Sequence, residues 1–339
     1  MKKVVFLTLS IISSIAGMKV SAQGLHFSQF YNAPLLLNPA NTALMSVDDY
    51  RVGVNYRSQW SNVPVPYNTF SAYGDCQLFS NAEGTNWMGM GAVFYNDVAG
   101  DGNLKLTRGD FSLAYHVQTG TSFMISAGLS AAYATRSVDY NKLTFDMQWD
   151  RFKFDKNLPN GEQINIIQTN FFDVGGGVNF SFFPNEAVFI KLGGSVAHIN
   201  QPTETFYNQT NKMGIRPMIS LDGTFLLENN ISLSPAVYYT SQRGAQEIVA
   251  GTLVGATVYD KGKTNISVIA GGHYRVSDAV IASLGMQFGS LRILSSYDYT
   301  TSSMTSGTKI GGAFEFSIMY QGQYGERVRT AKNMNCPRF

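Results

Sequence analysis

Charge is scarce in this 339-residue chain: Asp, Glu, Lys and Arg together make up 14% of it, against roughly 25% in an ordinary soluble domain. That leaves too little Lys and Glu to cover the solvent faces of a large soluble fold. The net charge is +2, too close to neutral for a surface that follows a nucleic-acid backbone, so no nucleic-acid partner is expected. Two cysteines, Cys76 and Cys336, exclude a disulfide framework or a thiolate cluster, although an exported protein can join one pair. Long hydrophobic runs are missing beyond residue 18. With no later stretch of ~18 consecutive apolar residues, membrane-spanning helices are excluded.

Aromatics, at 13% of the chain, together with Gly and Ser take the place of charge. The first residues carry Lys2 and Lys3, an apolar run from Val4 to Met18, and Val20-Ser21-Ala22 before Gln23, which reads as a secretory signal peptide over 1–22. No cysteine follows the cleavage point, so a lipid-anchored start is not expected. An exported chain that sits in a membrane without spanning helices has to cross it as a closed barrel.

Period-two alternation supports that reading from residue 50 onward. Tyr50, Val52, Val54, Tyr56 and Trp60 alternate with Arg51, Gly53, Asn55, Arg57 and Gln59, and near the other end Phe314, Phe316, Ile318 and Tyr320 share one face. An apolar, aromatic-flanked face opposite a polar one is how a strand looks between lipid and a lumen. About fourteen such strands are expected, near 50–61, 66–79, 87–97, 104–118, 121–136, 171–183, 187–199, 213–227, 231–242, 245–259, 264–275, 278–289, 290–301 and 310–321. The fold class is all-β, an antiparallel transmembrane barrel over 50–321, preceded by a segment 23–49 and followed by a tail 322–339. With both termini periplasmic, every even-numbered connection should be a short turn, and every one is. The long connections, Ser137 to Asn170 and Asn200 to Lys212, are odd-numbered and therefore external.

The alternation puts the ionisable residues inward: Arg51, Arg57, Asp110, His116, Asp173, Lys191, Arg216, Asp222, Glu247, His273, Arg275, Arg292, Asp298 and Glu315. Arg or Lys at the lipid midplane costs ~2–4 kcal/mol, so a hydrated, cross-paired lumen lining is the expected role. A charge-selective pore is the sharper alternative.

Segment 23–49 lacks strand alternation yet holds Phe27, Phe30, Tyr31 and Leu35 to Leu37. These apolar groups require a cover, which is expected at the barrel's lower opening or on a partner. Cys76 falls near the lower end of the second strand and Cys336 in the tail, which makes Cys76–Cys336 a candidate disulfide, although Cys76 alternates onto the outward face.

Catalytic chemistry finds few residues to work with. His26, His116, His198 and His273 are the only bases of the usual kind, and none lies in a spacing that ties it to a catalytic serine. Asp48-Asp49 point to opposite faces and cannot share a proton. Gly175-Gly176-Gly177 and Gly193-Gly194 do not precede a helix, so they fail as phosphate loops and instead relieve crowding or permit bending. Asp146, Asp150 and Asp155 share one long loop with Trp149, Phe152 and Phe154, but without EF-hand spacing. No catalytic residue, metal site or cofactor is expected.

Particular strings resemble a known family. His26-Phe27-Ser28-Gln29-Phe30-Tyr31, Pro34-Leu35, Leu37-Asn38-Pro39-Ala40, then Arg51-Val52-Gly53-Val54-Asn55-Tyr56-Arg57-Ser58-Gln59-Trp60 and Pro66-Tyr67, with Cys336-Pro337-Arg338-Phe339 at the end, are similar to the PorP/SprF proteins of the Bacteroidetes type IX secretion and gliding apparatus. The resemblance implies an outer-membrane protein without enzymatic activity. Its implied partners are a secreted protein with a type IX carboxyl-terminal signal domain, such as a surface adhesin, other secretion components, and outer-membrane lipid. The candidate partner contacts are then His26, Phe27, Phe30, Tyr31, Asn38 and Pro39 at the amino end, Trp149 and Phe152 in the long loop, and Arg338 and Phe339 in the tail. An outer-membrane channel for small solutes is the competing expectation, because a barrel of about fourteen strands conducts unless plugged.

Overall fold

The computed structural model describes residues 27–45, 47–60, 67–81, 84–155, 157–162, 167–206, 210–261, 264–302 and 312–325. The expected signal peptide, His26, and the tail residues Cys336, Arg338 and Phe339 lie outside them. The rest is one closed ring of fourteen antiparallel strands: β1 (Tyr50–Gln59), β2 (Tyr67–Leu78), β3 (Asn86–Ala99), β4 (Leu104–Thr119), β5 (Phe123–Ser137), β6 (Gln168–Asn185), β7 (Val188–Ala197), β8 (Arg216–Leu227), β9 (Ile231–Gln242), β10 (Ala245–Lys261), β11 (Thr264–Arg275), β12 (Ala279–Phe288), β13 (Leu291–Thr300) and β14 (Ala313–Gly322). Each strand pairs with the next, and β1 closes the ring on β14 in the register Val54↔Ile318. In lipid this closure satisfies every strand's backbone without leaving an edge.

The expected strands are all present, with shifted ends. β1 stops at Gln59 because Trp60 takes a left-handed φ of 56°, and β7 stops at Ala197 because His198 does the same at 59°. β8 starts at Arg216 rather than 213, since the Met213 amide donates back to Pro202 in the loop. β6 begins three residues earlier than the alternation suggests and reaches 18 residues.

Alternation does the sorting of environments. On β1 the side chains of Val52, Val54 and Tyr56 are exposed to the outside, while Arg51, Asn55 and Arg57 are buried inside. Outward aromatics form two girdles. Tyr67, Phe94, Tyr133, Phe172, Tyr297 and Phe314 lie toward the long-loop end, and Tyr115, Phe123, Phe180, Phe288 and Tyr320 toward the short-turn end. Phe123 and Tyr133 share β5, and their separation of ~33 Å along the strand becomes ~25 Å along the membrane normal once the strand tilts, the height of an outer-membrane apolar band.

The band makes a direct prediction. Leu129 is 70% exposed on the outer face of β5 between the two girdles. Leu129→Arg should lower barrel stability by ~2–4 kcal/mol, measured by chemical denaturation in phospholipid vesicles, while Leu129→Phe should leave it nearly unchanged. Equal stability of the Arg variant would contradict the assignment of this face to lipid.

Candidate functional site

The lumen is filled by the chain's own residues 27–45. Three short turns, Phe30–Asn32, Pro34–Leu37 and Pro39–Asn41, compact the segment. Pro34 and Pro39 each stand at a turn's first position, where a missing amide costs nothing, and the Asn38 side chain accepts from the Ala40 amide at 2.8 Å. The segment runs the length of the lumen, from the long-loop end at Ser28 to the short-turn end at Met45, and then enters β1. The sequence alone points to a cover at the lower opening or on a partner. The difference arises because the segment's polar residues have partners at every height of the wall.

Its head is held by charge. The amides of Ser28 and Gln29 donate to the two carboxylate oxygens of Glu315 at 2.7 and 2.8 Å, and the Ser28 hydroxyl donates to Asp298 at 2.5 Å. Arg57 donates to the same hydroxyl at 2.8 Å and pairs with both Glu315 and Asp298. Arg275 adds a second guanidinium, 3.3 Å from Asp298 and 3.0 Å from Asp278. Arg57, Asp298 and Glu315 are each at most 3% exposed, so their charges depend on one another and on the segment.

The middle is held by packing. Phe30 contacts Tyr238, Val249 and Ile281, Tyr31 stacks on His273 with centroids 5.3 Å apart, and Leu35 joins Tyr73 and Val93. The turn at Asn38-Pro39-Ala40 lies directly on a glycine patch. A Cβ on Gly177 would sit 2.1 Å from the Asn38 amide oxygen, and one on Gly128 2.5 Å from Pro39 and Ala40 backbone atoms. Close approach explains Gly128 and Gly177, because only a wall without side chains at these positions leaves room for the turn.

The foot is held by hydrogen bonds. The His116 ring binds the Thr42 carbonyl and the Ser126 hydroxyl, each at 2.8 Å, and stacks on Trp87. Trp87 donates to Ala43, the Ala43 amide donates to Asp75, and Asp75 pairs with Arg51 at 2.7 Å. Hydrogen bonds from 27–45 reach ten of the fourteen strands.

Other inward residues pair around the segment. Asp110 and Asp173 flank Arg108 at 2.6 and 2.5 Å, and His198 binds Asp173 at 2.8 Å. Lys191 pairs with Asp222 at 3.4 Å and donates to Asn41. Glu247 accepts from Tyr238, Arg292 donates to Gln287, and Arg216 lines the space between the segment and the long-loop end. Arg108 and Asp75 were not among the sequence's inward candidates, although both sit on the inward parity of their strands. Cys76 faces outward near the short-turn end, and the candidate bond to Cys336 lies outside the described residues.

Of the amino-terminal partner candidates, Phe27, Phe30, Asn38 and Pro39 are buried against the barrel's own wall and Tyr31 is half-buried. Trp149 and Phe152 are presented differently. Trp149 and Phe154 face each other across a β-bridge with ring centroids 5.0 Å apart. The Asp150 carboxylate closes the turn by accepting the amides of Lys153 and Phe152, and those amides, Lys153's foremost, hold it below the usual carboxylate range. Phe152 stands at the tip, 88% exposed. Among the described residues no group of three His, Cys, Asp or Glu side chains is arranged to hold a metal ion.

The family model described as type IX secretion system membrane protein PorP/SprF matches residues 19–320. No curated protein matches the chain. Among solved structures, the Pseudomonas putida toluene transporter TodX aligns with a TM-score of 0.55 at 8% identity, covering 91% of this chain and 96% of that one. A second crystal structure of the P. putida TodX aligns at 0.51 with 9% identity, over 87% and 95% of the two chains. At such identity the likeness is one of fold.

Glu315 and Gly177 test the grip on the segment separately. Glu315→Ala strips the Ser28 and Gln29 amides of their acceptor and leaves Arg57 undercompensated, a loss of ~3–5 kcal/mol for a broken buried pair. Amide hydrogen exchange across 27–45 should accelerate at least tenfold while the strands stay protected. Gly177→Val should release the Asn38 turn with the same signature, and unchanged exchange in both variants would contradict the described contacts.

Proposed function

Because the chain belongs to the PorP/SprF family of type IX secretion system membrane proteins, we propose that it is a non-enzymatic docking barrel, which binds or presents an exported protein at the cell surface or couples the outer membrane to periplasmic secretion components. The observation that carries this reading is the filled lumen: a barrel whose interior is hydrogen-bonded to its own amino-terminal segment is suited to anchoring rather than to passage. The exposed Trp149, Phe152 and Phe154 hairpin favours a surface role, since aromatic side chains on a loop fixed to a rigid scaffold are typical of recognition sites. The partner would be a secreted protein with a type IX carboxyl-terminal signal domain.

Two lumen histidines are taken up by contacts within the barrel. His116 spends both ring nitrogens on Thr42 and Ser126, and His273 lies between the rings of Phe30 and Tyr31. Neither has a nucleophile and an open face together. A small-solute channel is the competing reading, favoured by cavities of about 200 and 420 Å³ on the two sides of the segment. It requires the segment to leave its contacts.

Mild-detergent extraction followed by mass spectrometry tests the docking reading. A secreted protein with a type IX signal domain, or a secretion component, should co-purify, and Trp149→Ala with Phe152→Ala should lower the yield of a surface partner severalfold. Recovery of neither class from the wild-type protein would end the proposal.

A further inference from the structure

β6 is longer than the membrane requires and longer than its neighbour. A tilted strand spans with ~9–11 residues, whereas β6 has 18 and β7 only 10. On one side β6 pairs with β5 all the way from Phe182↔Phe123 to Gln168↔Ser137. On the other, pairing with β7 begins only at Gly176↔Val196. The upper third of β6 therefore rises above the rim as the last strand of the β4–β6 sheet.

The parity of its hydrogen bonds is fixed by two contacts. The Val138 amide donates to the Ile167 carbonyl, so odd-numbered residues of β6 face β5, and the Ile199 amide donates to the Val174 carbonyl on the β7 side. Asn200 covers the next groups, accepting from the Val174 amide at 3.1 Å and donating to the Phe172 carbonyl at 2.7 Å. Above that point the Phe172 amide and the backbone groups of Asn170 and Gln168 point to the β7 side, with no strand partner among the described residues. Exposed edges are normally blunted by Lys, Pro or an inward charge. Gln168-Thr169-Asn170-Phe171-Phe172 has none of these, and Ile167, above the upper girdle in which Phe172 stands, is 60% exposed.

We infer that the β7-facing edge of β6, from Gln168 to Phe172, is a strand-addition site for an extended segment of the exported partner. This rests on the docking reading and supplies its chemistry: the backbone of the partner continues the β4–β6 sheet, with its side chains alternating between the outer face, where Phe172 lies, and the inner face, on whose parity Ile167 falls. Without a strand partner among the described residues, these groups are a row of main-chain donors and acceptors, which an extended chain satisfies and a helix does not.

Asn170→Pro tests the edge, and Asn170→Ala, which keeps the amide but loses the hydrogen bond that the Asn170 side chain accepts from Thr135 of β5 at 2.8 Å, should capture the partner as wild type does. The Asn170 amide points away from β5, so proline removes an edge donor without breaking the β5–β6 ladder. The proline variant should keep the heat-dependent gel mobility of a folded barrel and retain less than a tenth of the exported partner that co-purifies with wild type. A photo-crosslinking residue at 170 in living cells should label that same partner. Undiminished capture by Asn170→Pro, or a crosslink to a second copy of this chain, would overturn the inference. If the wild type captures nothing, the docking reading has failed, and the edge is judged by amide exchange of residues 167–172. Slower exchange in intact cells than in the purified barrel supports strand addition, and equal exchange overturns it.

Discussion

A ring of fourteen strands encloses more space than its own inward side chains fill, and the rest of the architecture follows from how that space is occupied. A wide lumen lined by ionisable residues can be left to water or packed with protein. Here residues 27–45 pack it, and the inner wall is shaped to receive them. Gly128, Gly177 and Gly193 withdraw their side chains where Asn38-Pro39-Ala40 passes, while Glu315 and Asp298 project carboxylates where Ser28 and Gln29 present donors.

Wall and segment are thus stabilised together. Arg57 and Arg275 are buried beside Asp298, Glu315 and the Ser28 hydroxyl, a cluster that would lose part of its hydrogen bonding if the segment left. Burying ions is costly unless every partner is in place, so partial withdrawal is opposed more strongly than the number of contacts suggests. At the foot the coupling is neutral instead, through His116, Trp87 and the carbonyls of Thr42 and Ala43. With the inside occupied, the surfaces left for other molecules are the outer wall, the short-turn face and the long-loop rim with its aromatic hairpin and open strand edge.

Much of the barrel was legible because a strand's two faces alternate with period two, and lipid on one face makes the contrast strong. Arg51 and Arg57 against Val52 and Val54 suffices to orient β1, and the loop-length parity orients the ring. Pairings across the lumen were not legible: Arg57 meets Asp298 across 241 positions, and no local pattern encodes the segment that brings Ser28 between them. Arg108 is legible from the alternation of β4, two residues from Asp110 on the same face. The glycine runs point to relief of crowding or to bending, but what approaches Gly177 and Gly193 is a turn over a hundred residues away in the sequence. Left-handed residues such as His198 shortened strands that alternation alone would continue.

Planar-bilayer recording of the barrel with residues 27–45 in place tests the central claim most directly. A lumen held shut by hydrogen bonds to ten strands should give no steady conductance, whereas removal of residues 27–45 should produce one. A large, steady conductance with the segment intact would contradict the account and return the barrel to the class of open channels.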